Sequence, residues 1–318
     1  KLLLDYASEV WYNGNTKNEV WIMELRVLRY FLTLAREENI SRAAEALYIT
    51  QPTLSRQLAE LEEELGVKLF ERGKRKITLT EDGMLLRRRA EEMAELEEKV
   101  EREFRSRGEN LAGCISIGAA EVGASALLAV AVDRFRKKYP EVTFEVYSET
   151  ADRTKERLDR GVLDLGLLVE PGDIEKYDFL RLGIADRCGV MMRADSPLAR
   201  KEHVTLEDIG RTPVVVNLRA EVRRFYRHAL GEAYEKLNVL ASVDLNGNAA
   251  YFVAQGLACG ITLEGAMAQY GDGKLCFRPF YPEISQQTFL VWKKYQPMSR
   301  AQHAFIDEVS MLLAHNEA

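Results

Sequence analysis

Five polar side chains between positions 51 and 57 have the chemistry needed to contact the edges of DNA base pairs. They lie opposite a leucine stripe, and they are Gln51, Thr53, Ser55, Arg56 and Gln57. Glutamine can pair with adenine and arginine with guanine in the major groove, which is wide enough for a helix. The two small hydroxyl residues would let that helix approach closely. The alternative is a helical hairpin that only packs, with the same side chains in water.

Two short helices and a tight turn would position these side chains. The first helix has an apolar side formed by Ala43, Ala44 and Leu47. The second has leucines at i, i+4, i+7 and i+11, which make one helical stripe, namely Leu54, Leu58, Leu61 and Leu65. Ser41 is a candidate N-cap of the first helix, Thr50 can cap the second, and Pro52 suits its first turn. The pattern predicts a helix-turn-helix with its recognition helix over residues 51–64.

A short hairpin with a cationic tip is expected next. Leu65-Gly66 ends the helix, and the apolar segments 67–70 and 77–80 then flank a basic turn. Cations at such a tip suit the phosphate backbone or minor groove beside a docked helix. The predicted DNA contacts are therefore Ser41, Thr50, Gln51, Pro52, Thr53, Ser55, Arg56, Gln57, Arg72, Lys74, Arg75 and Lys76.

At this point the sequence resembles a known family. Residues 23–83 are similar to the amino-terminal domain of LysR-type transcriptional regulators, and the similarity lies in the Gln51-Pro52 pair, Ser55-Arg56, Leu65-Gly66, Leu69-Phe70 and the Leu79-Thr80…Gly83 run. The remaining length and strand order resemble that family's effector domain, so the resemblance covers about residues 23–315. It implies a cytoplasmic, non-enzymatic, sequence-specific regulator of two-fold symmetric double-stranded DNA that responds to a small-molecule effector. It also implies a homodimer, a homotetramer as the usual assembly, and RNA polymerase as a further candidate partner.

The expected fold has two parts. An all-α winged helix-turn-helix domain (23–80) and a long dimerisation helix (81–106) are followed by a hinge (107–111) and an α/β effector domain (112–318). Alternating strands and helices indicate the α/β class. The resemblance supplies two subdomains like those of a periplasmic binding protein, one formed by 112–186 and 287–318 and the other by 187–286. Residues 1–22 have no helical period and are expected to lie outside the fold.

The long helix carries a candidate dimerisation seam. Apolar residues alternate at spacings of four and three, interrupted once by Glu97. This is typical of a coiled coil with charged flanks. The predicted dimer contacts are Leu86, Ala90, Met93, Val100 and Phe104.

The candidate effector site lies where strands of the α/β domain end. In open α/β sheets, ligands bind beyond the carboxyl ends of the strands, often at helix N-termini. Polar residues at four such corners are Glu121, Ser125, Ser148, Thr150, Asn217, Asn246 and Asn248. Each could instead be a cap or turn residue. A carboxylate at position 121 disfavours an anionic effector unless it points away or meets Arg219.

Charge and composition restrict the alternatives. A net charge of −6 and a pI near 5.5 require any DNA contact to come from a local basic patch. No apolar stretch reaches the roughly 20 residues of a membrane helix, so no membrane partner is expected. The cysteines (114, 188, 259, 276) and histidines are scattered, without the spacing of a metal site, and no metal or cofactor is expected.

Other functions remain open from the residues alone. A redox-sensing thiol pair on the same fold is one, since some relatives of the family sense oxidants that way, although nothing in the sequence brings two cysteines together. A solute-binding protein is another. An enzyme is a third, with Asp164 and Glu170 as a weak acid/base pair. The sequence contains no GxSxG elbow, phosphate-binding GxxxxGK[ST] loop, GxGxxG turn or HExxH helix.

Overall fold

The structure, a computed structural model, describes residues 23–73, 76–105, 111–169, 174–270 and 273–316. Two compact units make up the chain, the first ending at Glu98 and the second beginning at Lys99. None of the helices in the described ranges is long and apolar enough to cross a membrane.

The first unit is a small helical domain with a two-stranded hairpin. Its elements in chain order are α1 (Leu25–Glu37), α2 (Ile40–Ala46), α3 (Gln51–Leu65), β1 (Phe70–Arg72), β2 (Ile77–Leu79) and the larger part of α4 (Glu81–Arg105), which continues into the second unit from Lys99 onward. The predicted leucine stripe packs inward, because Leu54, Leu58 and Leu61 are almost fully buried. They contact α1 and the alanines of α2, so a single apolar core fixes the angle between α2 and α3.

The cap of α2 differs from the prediction. The side chain of Asn39 accepts hydrogen bonds from the backbone nitrogens of Ser41 and Arg42, at 3.0 and 3.1 Å. Ser41 as N-cap is therefore wrong, because the helix already begins at Ile40 and the preceding asparagine reaches its free N–H groups. The prediction for α3 is confirmed: the hydroxyl of Thr50 accepts from the backbone nitrogen of Thr53.

The hairpin lies slightly later than predicted. β1 and β2 pair in antiparallel register, with Phe70 opposite Leu79 and Arg72 opposite Ile77. Residues 67–69 are not part of the strand, although Leu69 is buried in the domain core. Lys74 and Arg75 at the tip lie outside the described residues.

The long helix α4 is not apolar along one continuous free face. Ala90 is fully buried in the core of the first unit and Leu86 packs against the same core. The prediction of a dimer contact is wrong for Ala90, because the helical domain itself covers that turn of α4. Met93 and Val100 remain 40% and 44% exposed. The side chain of Phe104 lies outside the described residues.

The second unit is an α/β structure built on one mixed sheet. Its strands are β3 (Gly113–Ala119), β4 (Val142–Ser148), β5 (Leu165–Val169), β6 (Tyr177–Arg193), β7 (Val214–Asn217), β8 (Val239–Val243), β9 (Cys259–Leu263), β10 (Leu275–Pro279) and β11 (Ser285–Lys293). Its helices are α5 (Ala124–Lys138), α6 (Ala151–Asp159), α7 (Leu206–Ile209), α8 (Ala220–Leu230), α9 (Glu232–Glu235), α10 (Asn246–Ala254) and α11 (Arg300–Asn316), with 3₁₀ turns at Pro197–Arg200 and Glu264–Gln269.

Two lobes share this sheet. The strand order is β4-β3-β5-β11-β6-β9-β7-β8, with β10 paired to β6. One large core lies around β3, α5 and α11, and this is the first lobe. Another lies around β7, β9 and α8, and this is the second lobe. The long strands β6 and β11 pair with each other in the middle of the sheet and so connect the lobes.

A buried carboxylate braces the crossing between the lobes. Asp186 on β6 is 4% exposed. It accepts hydrogen bonds from the backbone nitrogens of Gly123, at 2.6 Å, and Gly265, at 2.7 Å. A Cβ on Gly265 would lie 1.9 Å from the nitrogen of Gly123. The start of α5 and the 3₁₀ turn after β9 therefore meet through two glycines and one aspartate.

Candidate functional site

The outer face of α3 presents the predicted base-contacting side chains. Its buried leucines fix the helix, its Thr50 cap fixes the first turn, and Thr50 and Thr53 share a 2.8 Å hydroxyl contact. Gln51, Pro52 and Arg56 are exposed, whereas Thr53, Ser55 and Gln57 are half-buried. A rigid helix with an exposed polar face of this kind has the dimensions and donors for the major groove.

Arg56 is the most prominent donor on that face. Its side chain is 71% exposed and its Nε lies 3.8 Å from Glu60, which also accepts a 2.6 Å hydrogen bond from Gln57. An exposed pair of this kind contributes only about 0–1 kcal/mol. Arg56 can therefore leave Glu60 at little cost and turn its guanidinium toward a base.

The hairpin adds one described cation to this surface. Lys76 is exposed and lies 3.2 Å from Glu38, while the backbone nitrogen of Ile77 donates to the carbonyl of Glu38. The hairpin is thus held against the end of α1. Ser41 is also exposed, in the first turn of α2. Arg72 is on β1, but its side chain, like Lys74 and Arg75, lies outside the described residues.

A cavity lies in the cleft between the two lobes of the second unit. Its volume is about 90 Å³. Four of the seven predicted effector residues line it, namely Glu121, Thr150, Asn217 and Asn246. The other three do not: Ser148 and Asn248 point to solvent, and Ser125 lies near the carbonyl of Ala120 within its own turn. The side chain of Thr150 also caps α6.

Two polar contacts between described residues join the lobes across this cleft. Glu121 of the first lobe accepts a 2.8 Å hydrogen bond from the backbone nitrogen of Asn246, at the start of α10. Arg219 of the second lobe donates two 2.7 Å hydrogen bonds to Asp152 of the first. The Arg219 guanidinium holds the pKa of the Asp152 carboxyl below its usual value. Glu121 therefore neither points away nor pairs with Arg219, the two cases allowed from the sequence.

A second carboxylate lies at the cavity wall. Glu149 is 6% exposed. It accepts hydrogen bonds from the hydroxyl of Thr154 at 3.1 Å and from Arg157 at 3.3 Å, with Arg153 at 3.6 Å. Its negative charge is thus compensated by Arg157 and Arg153, which belong to the first lobe.

Two buried polar side chains of the cavity wall have no hydrogen-bond partner within the described ranges. They are the amide nitrogen of Gln286 and the hydroxyl of Thr262, and both residues are 4% exposed. Leaving such groups unpaired costs free energy. Neither was a sequence candidate, because both lie inside strands, where a polar residue in an apolar run gives no signal of the face it occupies. Arg219 was considered only as a possible partner of Glu121.

All four cysteines are free thiols in this structure. Burial raises the pKa of Cys188 to about 12 and that of Cys259 to about 11, so both are protonated and poorly nucleophilic at neutral pH. Strand β6 lies between β10 and β9. Its residue Met192 is paired with Cys276 of β10 on one edge and, one position beyond the Met191–Gly260 pair, faces Cys259 of β9 on the other. Two strand spacings, about 9.6 Å, separate those backbones. A disulfide needs a Cα separation of about 4.4–6.8 Å.

The carboxylate of Asp164 is buried and hydrogen-bonded within the second unit. Its side chain is 3% exposed and accepts from Lys99 Nζ at 2.5 Å and from the backbone nitrogen and hydroxyl of Ser116, each at 2.8 Å. This carboxylate therefore pairs with the buried Lys99 ammonium and accepts hydrogen bonds from Ser116 on β3. Glu170, the other half of the weak acid/base pair, lies outside the described residues. Among the described residues, no group of histidine, cysteine and acidic side chains could hold a metal ion.

Comparison with known proteins decides the family. Residues 25–84 match the bacterial regulatory helix-turn-helix family of LysR type, and residues 108–313 match the LysR substrate-binding domain. The chain belongs to the LysR family of transcriptional regulators. The predicted family and fold class are thereby confirmed, and the protein is a DNA-binding regulator with an effector-binding domain.

Individual relatives of this LysR family member span nearly its whole length. It is 30% identical over 288 residues to an uncharacterized HTH-type transcriptional regulator, YybE, of Bacillus subtilis (strain 168), covering 89% of this chain and 97% of that one. It is 29% identical over 307 residues to the Hca operon transcriptional activator HcaR of Escherichia coli (strain K12), covering 92% and 99%.

Solved structures of the family share the fold. The crystal structure of CbnR, a LysR family regulator, matches with a TM-score of 0.73 at 19% identity, covering 91% of this chain and 99% of that one. Full-length CbnR in complex with its target DNA matches with a TM-score of 0.72 at 20% identity. At this identity the likeness concerns the fold alone.

Proposed function

We propose that this LysR family protein binds a two-fold symmetric promoter site through two copies of α3, with Arg56 and the glutamines Gln51 and Gln57 contacting bases. The observation that supports this most is the contrast between the two faces of α3. One face consists of leucines buried in the domain core, while the other face is polar and exposes hydrogen-bonding side chains. Thr50, Thr53 and Ser55 then contact phosphates or fix the helix start.

The hairpin contacts the DNA backbone in this proposal. Lys76, with Arg72, Lys74 and Arg75, would neutralise phosphates beside the docked helix, independently of sequence. Because the whole chain carries a net charge of −6, binding depends on this local cationic surface.

The free apolar part of α4 is the proposed dimerisation surface. Met93, Leu96 and Val100 are spaced at i, i+3 and i+7 and are 40–45% exposed. A second copy of the helix would cover them. Two recognition helices fixed in this way can contact half-sites about one helical turn of DNA apart. We propose the same division of the chain as above, with the same bounds, into a DNA-binding domain, a dimerisation helix and a two-subdomain effector region.

The cavity between the lobes is the proposed effector site. A small molecule that binds one arrangement of the lobes better than the other can shift the regulator between DNA-bound states. We assign no catalytic role to this unit, and we place the protein in the bacterial cytoplasm with its DNA.

The Arg56→Ala variant tests the recognition helix. It should lose specific operator affinity by about 5- to 150-fold, since a bidentate contact contributes about 1–3 kcal/mol, while its circular dichroism and oligomeric state stay unchanged. Lys137→Ala is the matched control, because Lys137 is 73% exposed, pairs at i,i+4 with Asp133 and lies in the second unit. Unchanged operator affinity in Arg56→Ala would count heavily against the assigned helix.

A further inference from the structure

The charged side chains around the cavity leave no site ready for an anion. Four charged residues of the described ranges line it, three carboxylates and one guanidinium: Glu121, Glu149, Asp244 and Arg219. The guanidinium already donates to Asp152 and, at 3.1 Å, to Glu221. An entering carboxylate would have to displace Asp152 while remaining close to Glu121.

The other anion-binding feature of the cleft is also occupied. The backbone nitrogen of Asn246, in the first turn of the nine-residue helix α10, donates to Glu121 Oε2. The carboxylate of Glu121 thus occupies the position at this helix N-terminus where an anionic ligand would bind.

The free polar groups favour the opposite kind of ligand. Glu121 Oε1 has no hydrogen-bond partner in the described part of the chain, and Gly247 lies beside it without a side chain, with Oε1 3.8 Å from where a Cβ would be. A carboxylate oxygen accepts strong, charge-assisted hydrogen bonds from an ammonium group. Two further groups that line the cavity lack partners: the amide of Gln286 requires an acceptor, and the hydroxyl of Thr262 can donate to one.

We propose that the effector is a compact molecule without net negative charge that carries a protonated amine and a neutral hydrogen-bond acceptor such as an amide. The amine binds Glu121, and the acceptor binds Gln286 and Thr262. This inference rests on the cavity being the effector site, as proposed above. Apolar walls from Val122, Val222 and Ile261 would contact the short aliphatic part between the two ends.

The same contacts explain how such a ligand could be sensed. Glu121 joins the lobes through Asn246, so an amine at Glu121 alters a contact between the lobes directly. The cavity of about 90 Å³ is smaller than the roughly 150 Å³ that holds a benzene ring. A ligand of more than a few heavy atoms therefore extends beyond this volume and contacts both lobes, so its binding energy is coupled to their arrangement.

Thermal shift and calorimetric titration of the full-length protein test the chemical class. The probes are β-alaninamide, glycinamide, propionamide, which lacks the amine, and succinamate, in which a carboxylate replaces it. The expected result is a rise in Tm with the two amino amides only. Glu121→Gln keeps an acceptor for Asn246 but removes the charge, and should weaken β-alaninamide binding at least about tenfold. Asp133→Asn, an exposed carboxylate on α5, is the control and should not alter it.

Thr262→Val separates a ligand contact from a structural role. Because the Thr262 hydroxyl has no partner, the isosteric valine should raise the Tm of the ligand-free protein while weakening β-alaninamide binding. If Thr262 had only a structural role, the substitution would not raise the Tm of the ligand-free protein and weaken β-alaninamide binding at the same time.

Two results would overturn the inference in distinguishable ways. Stabilisation by succinamate that survives in Glu121→Gln but is lost in Thr262→Val would keep the cavity as the effector site and disprove the amine assignment. Failure of both amino amides to bind, or binding unchanged by Glu121→Gln and Thr262→Val, would remove the ligand from this cavity. Neither result touches the Arg56 test of DNA recognition.

Discussion

Among the described glycines of the second unit, Gly265 has the least room for a side chain. Its hypothetical Cβ overlaps the backbone of Gly123, and backbone atoms cannot give way as a flexible side chain can. Gly265→Ala should therefore displace the Asp186 brace and destabilise this unit by about 1–3 kcal/mol, visible as a lower Tm. Gly247→Ala is the matched control. It lies in helix α10 with only an ordinary 3.8 Å neighbour, so alanine should be neutral or stabilising by about 0.5–1 kcal/mol. Equal Tm values for the two variants would contradict the brace.

The Arg219–Asp152 contact should make cleft stability depend on pH. The folded-state pKa of Asp152 is lowered by Arg219, so the contact is fully present above the usual aspartate pKa of about 3.9 and is lost as the pH falls through the lowered value. We expect Asp152→Asn to be less stable than the wild type near neutral pH and to match it in acid. Urea unfolding from about pH 7 down to about pH 3 measures this difference. A constant offset across that range would contradict the assignment.

Single residues show where the sequence is informative. Thr50 could be assigned as a cap because it precedes a leucine stripe and Pro52. Asn39 and Ser41 are both good caps two positions apart, and only the observed first turn of α2 decides between them. Glu121 was predicted at the cavity, but its partner Asn246 is 125 positions away and could not be inferred from local spacing.

At the scale of elements, amphipathic helices were the most predictable. Helix α5 is an example, because its buried residues recur at helical spacing and Pro140 follows two positions after its last residue, Lys138. The long strand β6 is less easily predicted from the sequence, since a continuous apolar segment is present only near its end. Its first half contains charged residues and a glycine with positive φ, Gly183, and it is extended because β11 pairs with it. Such a strand is stabilised by its neighbour in the sheet rather than by its own composition.

The α4 surface gives a prediction about assembly. Leu96→Glu puts a charge in the middle of the exposed apolar stripe and should dissociate the dimer without unfolding the first unit. Sedimentation velocity and circular dichroism measure the two properties. Leu25→Glu is the control, since Leu25 on α1 has nearly the same exposure, 43% against 45%. A Leu96→Glu dimer as stable as the wild type would show that another surface holds the copies together.

The hairpin gives a prediction about salt. Lys76→Ala should weaken binding to specific and unrelated DNA alike and reduce the slope of log affinity against log salt by about one. Fluorescence anisotropy over a salt series measures the slope. Lys236→Ala removes an exposed cation from the second unit and should leave the slope unchanged. A loss confined to the operator sequence would assign Lys76 to base recognition instead.

At the scale of the whole molecule, function separates into two units with different chemistry. The first concentrates exposed hydrogen-bond donors on α3 and a cation on the hairpin, in a chain whose net charge is −6. The second encloses a small cavity whose charged residues are mostly acidic. Family membership could be predicted from the short motifs of the first unit, because they depend on local helix and turn geometry. The cavity could be predicted only in part, because its walls come from segments more than a hundred residues apart.

Footprinting of the purified protein on the DNA upstream of its own gene tests the central claim most directly. The account predicts protected half-sites on one face of the duplex, separated by about 10 base pairs or a multiple of it, and loss of this protection with Arg56→Ala but not with Lys137→Ala. Absence of any protection by natively folded protein, even at low ionic strength, would contradict the assignment of α3 as a DNA-recognition helix.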